Sequence, residues 1–239
     1  MTYSKYSCNR KHCKNCPFFS TSVFSALKGE ILDRVSDSKH FHHFKKGQVI
    51  FNEGNFPLGV FCVSRGKIKI HKLGHDGKEH ILRFAGEGDL VGYRSFLTNE
   101  SYAGTATALE ETVVCVFPKD EVFQALKENA DFSLRLINLL SKDLKKAEYQ
   151  LTEISQKTVR ERLAEALLLL KERYGLEEKK QLLQVTLTRE EIASMIGSTT
   201  ETVIRTLNDF RKEGIIEFFG RKIAINNLQS LIKTANVND

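Results

Sequence analysis

Two groups of residues in this chain have types and spacings that could do chemistry. The first is Glu201 and Arg205, one turn apart in a segment that opens with Ser198-Thr-Thr-Glu201. Arginine can donate two bonds to guanine O6 and N7, and glutamate can accept from cytosine N4, so this pair on an exposed helix face suits a major groove. The same spacing also describes a solvated Glu–Arg pair. The second group is Cys8, Cys13 and Cys16, with Cys115 far along the chain. Three of the five cysteines within nine residues point, in a reducing compartment, to metal or redox chemistry before disulfides.

The elements that must position the first group are legible. Thr188-Arg-Glu-Glu191 and Ser198-Thr-Thr-Glu201 both have the form of a capping box, in which a hydroxyl bonds the third backbone N–H and the Glu reaches back. Gly197, between them, supplies the left-handed conformation that ends one helix and turns into the next. Val203, Leu207 and Phe210 make a buried stripe, leaving Thr200, Glu201, Ile204, Arg205 and Asn208 on the other side. Downstream, Ile215–Phe219 and Lys222–Ile225 read as strands joined at Gly220-Arg221, a wing. Tandem caps around a short turn favour a helix-turn-helix over a solvated face.

The stretch Leu187-Thr-Arg-Glu-Glu-Ile-Ala-Ser-Met-Ile-Gly-Ser-Thr-Thr-Glu-Thr-Val-Ile-Arg205, followed by this hairpin, resembles the winged helix of the Crp/Fnr transcription regulators. The resemblance implies that Glu201 and Arg205 read bases, while Arg189, Thr199 and Thr202 hold phosphates and set register. Thr200 stands where the cyclic-AMP receptor branch carries Arg and the FNR branch Val. It implies an operator with a G·C pair facing Arg205 in each half-site, of TTGAT-like sequence, although Ile204 replaces a family Ser. The glycine-bearing segments 47–54 and 86–92 are similar to strand turns of the family's cyclic-nucleotide-binding fold.

Bulk properties bound the rest. A chain of 239 residues with 41% hydrophobic composition builds packed cores without staples. No run of eighteen apolar residues and no hydrophobic leader is seen, so a soluble cytoplasmic protein with no membrane partner is expected. The net charge of +6 is no argument for nucleic acid: residues 158–239 hold 13 Lys/Arg against 12 Asp/Glu, whereas residues 1–16 hold four basic residues and no acid. The expected class is α+β. A cysteine-bearing tail (1–19) precedes a β-roll sensor (20–130) rich in short strands and glycines, with a helix at Val23–Val35 capping it. A dimerisation helix (131–157) and a winged helix-turn-helix (158–239) follow, with a hinge at Gln156-Lys-Thr158 and a helix from Val159 to Tyr174. Ile137, Leu140, Leu144, Ala147, Leu151 and Ile154 alternate in 3 and 4 spacing, either a coiled-coil seam or the face of a helix lying on the roll. Inverted half-sites require a two-fold partner, which favours the seam and a homodimer on double-stranded DNA. RNA polymerase is a further partner for an activator.

The family's cyclic-AMP binders hold the nucleotide with Gly-Glu and Arg-Ser pairs, and the corresponding positions here read Gly92-Tyr93 and Ala103-Gly104. The adenine-facing positions become Ala147 and Glu148, and Arg94 points away from the pocket. Cyclic AMP is therefore not the expected ligand, and the effector is unknown from sequence. The resemblance to the oxygen-sensing FNR branch implies a [4Fe–4S] cluster on Cys8, Cys13, Cys16 and Cys115, although the longer cysteine gap comes first here. Neighbouring Arg10, Lys11 and Lys14 would offset its negative charge. A zinc site including His12, a thiol redox switch, or cysteines without a ligand remain as readings of the tail, and haem ligation by one of His40, His42, His43, His71, His75 or His80 as a reading of the roll. Two other function classes stand beside the regulator: a cupin-like metal enzyme using His40-x-His42, and a ligand module without DNA. Residues 182–225 argue against both, and no catalytic residue is expected.

Overall fold

The computed structural model describes residues 12–74, 79–177 and 181–236, without the side chains of Gln150, Leu151, Glu153, Ile154 and Ser155. Cys8, Arg10, Lys11 and His75 thus lie outside the described residues. The chain forms two compact units, residues 1–73 with 82–145, and residues 74–81 with 146–239.

In the first unit, short 3-10 turns at Cys13–Asn15 and Val23–Ala26 precede α1 (Gly29–Ser38). The single helix expected over Val23–Val35 is thus divided. Leu27 and Lys28 are extended, which lets Leu27 bury completely, and Gly29 restarts the chain from a left-handed conformation with φ 53°. Among the described residues eight strands follow: β1 (His40–Phe44), β2 (Val49–Phe51), β3 (Gly59–Arg65), β4 (Ile68–Leu73), β5 (Glu79–Ala85, of which residues 82–85 belong to this unit), β6 (Leu90–Val91), β7 (Thr105–Ala108) and β8 (Thr112–Pro118), with α2 (Tyr93–Thr98) between β6 and β7. They make two four-stranded sheets, ordered β1-β8-β3-β6 and β2-β7-β4-β5.

Val63, Ile68, Ile70, Ala85, Val91, Ala106 and Val114 come from strands of both sheets and fill one core of the roll. A second core joins Val60, Leu90 and Phe117 to residues of the surrounding helices. Phe24 stacks on Phe117 there with ring centroids 4.2 Å apart. Two helices complete this side: α3 (Lys119–Glu128) and α4 (Ala130–Gln156), whose first turn is capped by Asn129 Oδ1 accepting from Phe132 N at 2.8 Å. Phe132 and Leu136 of α4 are buried in the second core.

The second unit begins in the last turns of α4. Thr158 caps α5 (Val159–Tyr174) with a complete capping box to Glu161, and Gly175 ends it. Then come β9 (Leu176–Glu177), β10 (Leu182–Leu183), α6 (Arg189–Ile196), α7 (Thr200–Lys212), β11 (Ile216–Phe219), β12 (Lys222–Ile225) and α8 (Leu228–Ala235), with a sheet ordered β11-β12-β10-β9. Arg162 of α5 fixes the corner of this unit. Its Nε donates to Ile196 O at 2.9 Å, Nη2 to Gly197 O at 3.4 Å and Nη1 to Lys157 O at 2.7 Å. These carbonyls include ones that the end of α6 leaves without an intrahelical partner. Arg162→Ala is expected to lower the stability of the protein by about 2 kcal/mol, as loss of charge-assisted bonds to partly buried carbonyls does. Arg162→Lys recovers little of it, because one ammonium cannot span three acceptors. Urea unfolding of the three proteins measures both.

Candidate nucleic-acid interface

The reading helix is set by its start. Thr188 and Glu191 form the expected capping box on α6, and Gly197 closes it in the left-handed region at φ 62°, ψ 52°. The second box is displaced. Both Gly197 N and Ser198 N bond back to Ala193 O, so Ser198 is used in closing α6 and the cap falls one residue later, on Thr199, whose hydroxyl accepts from Thr202 N at 3.2 Å. Glu201 is thereby released from capping and stands exposed in the first turn of α7.

Val203, Leu207 and Phe210 are fully buried. Glu201, Ile204 and Arg205 are exposed on the other face, with Thr200 and Asn208 half-buried beside them. The two candidate base readers therefore sit on one solvent-facing surface of a helix held by its opposite side. Of the candidate phosphate contacts, Thr199 is exposed and lies 2.9 Å from the half-buried Thr202, hydroxyl to hydroxyl. The half-buried Arg189 stacks on Phe218 of β11, its guanidinium 4.8 Å from the ring centroid, and burial lowers its pKa. The hairpin β11–β12 pairs Phe219 with Lys222 around Gly220, which adopts φ 62°.

Along α4 the six seam residues divide. Ile137 and Leu144 are 55% and 61% exposed, and Ala147 is exposed with them. Leu140 is partly buried against the second core, and the side chains of Leu151 and Ile154 lie outside the description. Ile137, Leu144 and Ala147 thus leave an apolar strip open to solvent on a helix whose Phe132 and Leu136 are packed into the second core.

In the roll, Tyr93, which stands at a position matching the family's nucleotide contacts, is engaged by the protein's own side chains. Tyr93 is buried, and its phenol donates to Asp143 Oδ2 on α4. Arg83 Nη1 is 3.8 Å from the same carboxylate oxygen, its guanidinium carbon 5.6 Å from the Tyr93 ring centroid, and its Nη2 donates to Leu90 O at 3.2 Å. Burial and the bond to Asp143 push the Tyr93 phenol far up. Arg94, Ala147 and Glu148 are exposed. A Cβ at Gly104 would lie 2.9 Å from His71 O, so the position that carries an anion-contacting side chain in cyclic-AMP binders has no room for one.

The thiols gather on the helical side of the first sheet. Cys13 is buried in the second core, Cys62 and Cys115 pack against it, and those two lie directly opposite each other in the β3–β8 ladder. Cys62 carries no spacing signal in the sequence, since only strand register brings it to its partner. Burial, then Cys115, Cys16 and Cys13, push the Cys62 thiol well up. Lys39 Nζ donates to Cys13 Sγ at 3.3 Å. These are soft donors with a cation nearby, but among the described residues no three of His, Cys, Asp and Glu are placed to hold a metal ion. The described part of the cysteine set therefore does not form a ready-made cluster site, and Cys8 lies outside it. His40, His42 and His43 are exposed on β1.

A two-sheet roll, a long helix with an open apolar strip, and a winged helix-turn-helix presenting an acid and an arginine together define a DNA-binding regulator. Residues 41–129 match the cyclic nucleotide-binding domain and residues 161–234 the Crp-like helix-turn-helix domain. The transcriptional activator protein anr of Pseudomonas aeruginosa is 30% identical over 217 residues, 90% of this chain and 88% of that protein. An anaerobic regulatory protein of Aggregatibacter actinomycetemcomitans is 28% identical over 229 residues, 95% of this chain and 89% of its own. The structure of FixK2 from Bradyrhizobium japonicum superposes with a TM-score of 0.74 at 26% identity, covering 84% of this chain and 99% of that one. The chain belongs to the Crp/Fnr family of transcription regulators, on its FNR-like side. It is a DNA-binding regulator and not an enzyme, which removes the cupin-like reading and the ligand module without DNA.

The packing around the pocket predicts an alkaline signature. Burial pushes the Tyr102 phenol up to about 12. In the unfolded chain it ionises near pH 10, so above that pH the unfolded state has lost a proton the folded state keeps. Stability is full below pH ~10 and falls as pH rises towards about 12, with Tyr93 acting in the same direction. Tyr102→Phe is expected to make that fall shallower, read from urea midpoints across the window.

Proposed function

We propose that the chain acts as a homodimer on an inverted-repeat operator, each α7 lying in a major groove with Glu201 and Arg205 against base edges. Arg189, Thr199 and Thr202 hold phosphates, and Thr200 flanks the reading pair. The single observation that carries this is the exposure of Glu201 and Arg205 on a helix whose Val203, Leu207 and Phe210 are fully buried. Ile137, Leu140, Leu144, Ala147, Leu151 and Ile154 form the dimer seam, supported by the exposure of Ile137, Leu144 and Ala147. The two readers then enter successive major grooves about 34 Å apart. The action is cytoplasmic, in keeping with a DNA partner. Among the described residues no helix is long and apolar enough to cross a membrane. Where the bound dimer activates, RNA polymerase is its further partner.

Arg205→Ala is expected to cost about 1–3 kcal/mol on the preferred operator and to relax preference at one base pair of each half-site. Selection from random duplexes, compared between wild type and variant, measures it. An equal loss on every sequence would make Arg205 a phosphate contact and overturn the assignment.

The signal belongs to the same reading. Cyclic AMP is not the effector, since Tyr93, Asp143 and Arg83 occupy one another where the nucleotide's partners are missing. The tail (1–19) and the roll (20–130) form a sensor of redox state, oxygen or nitric oxide, the oxygen reading being in line with the names of the anaerobic regulatory relatives. A [4Fe–4S] cluster on Cys8, Cys13, Cys16 and Cys115 is the form the family resemblance implies. It would require tail and roll thiols to draw together beyond their described placement. Anaerobically purified protein is expected to contain iron and sulfide, with a broad visible absorption lost on exposure to air and absent in Cys115→Ala. Protein that lacks iron and sulfide under those conditions ends the cluster assignment.

A further inference from the structure

Phe218 stands where the wing meets the reading helices. It lies opposite buried Ile223 in the β11–β12 ladder and is itself only half-buried, so its ring closes the edge of the core towards solvent. Two guanidinium groups attend that ring. Arg189, at the start of α6, is 4.8 Å from its centroid, and Arg211, in the last turn of α7, is 5.5 Å from it.

Two cations drawn to one ring repel each other, and a nearby carboxylate would relieve that. Among the described residues neither Arg189 nor Arg211 has an ion-pair partner. The acids that might have served are engaged elsewhere: Glu217 accepts from Phe218 N at 2.9 Å, Asp209 is 3.9 Å from Lys212, and Glu213 pairs with Arg160. An aromatic face attracts a guanidinium while leaving its N–H donors directed outwards. Such donors suit the paired oxygens of a phosphate.

We propose that Phe218 is a positioning residue for DNA backbone contact, holding Arg189 and Arg211 as a two-guanidinium clamp for phosphate. Arg211 thereby becomes a backbone contact beyond those that the helix-turn-helix itself assigns. The inference rests on α7 facing DNA as proposed above. It does not depend on base reading by Arg205, since a phosphate clamp acts on any sequence.

The test is binding of the full-length protein to two duplexes, one with inverted TTGAT half-sites and one scrambled, across a salt series followed by fluorescence anisotropy. Arg211→Ala is expected to weaken both duplexes by the same factor and to reduce the slope of log affinity against log salt by about one per protomer. Phe218→Leu keeps both charges and an apolar side chain but removes the aromatic face. It is expected to weaken both duplexes about two- to fivefold, with Phe218→Tyr binding as wild type. Combining Arg211→Ala with Phe218→Leu gives less than the product of the two losses.

An unchanged salt slope in Arg211→Ala overturns the clamp. So does a Phe218→Leu protein that binds as wild type, or losses that simply multiply, because those are the results of a ring that only fills space. If Phe218→Leu fails to fold, the slope of the surface variant Arg211→Ala decides alone. Failure of Arg205 to read bases shows separately, as equal preference for the two duplexes by the wild type.

Discussion

One guanidinium holds the corner on which the DNA-reading unit is built. Arg162 reaches from α5 to carbonyls at the end of α6 and, on its other side, to the carbonyl just past α4. Helix C-termini carry partial negative charge and acceptors with no partner of their own, so a delocalised cation with several donors satisfies both needs together. With α6 ended at that point, Gly197 has one way to turn the chain, Thr199 becomes the cap, and the rotation of α7 follows. Rotating α7 by one residue would move Val203, Leu207 and Phe210 out of the core, so the exposure of Glu201 and Arg205 is a consequence of what must be buried.

The long helix α4 has a different division of labour. Phe132 and Leu136 are committed to the roll, and Asp143 receives the Tyr93 phenol and lies beside Arg83. Ile137 and Leu144, on the same helix, are left open. Asp143, the acceptor of the Tyr93 phenol, is the immediate chain neighbour of Leu144 in that strip. Roll and helix are joined here by the chain's own side chains, Tyr93 to Asp143.

Much of this was legible in the residues. The Thr188 box, Gly197, the buried stripe of α7, the wing and the end of α5 at Gly175 follow from local rules that tertiary contacts did not override. The second cap was displaced by one residue because the closing bonds of α6 consumed Ser198, a competition between neighbouring motifs that spacing alone does not rank. Thr158-Val-Arg-Glu161 carries the same capping signature as Thr188-Arg-Glu-Glu191, so the hinge read at 156–158 could have been seen as a helix start as well. Long-range pairings were invisible: Cys62 opposite Cys115 depends on strand register, Tyr93 with Asp143 on a contact across fifty residues, and Phe218 with Arg189 and Arg211 on three elements meeting at one ring. The same limit applies to Val23–Val35, where the apolar spacing fits a helix but the backbone is extended at Leu27 and Lys28.

The uncovered apolar strip of α4 has a consequence for how such a regulator responds to its own supply. If two copies must meet along that strip before both half-sites are filled, the active species at low abundance grows as the square of the amount of chain present. Mass action then also makes the apparent melting temperature depend on concentration. Synthesis and turnover of the polypeptide then become inputs to transcription in their own right.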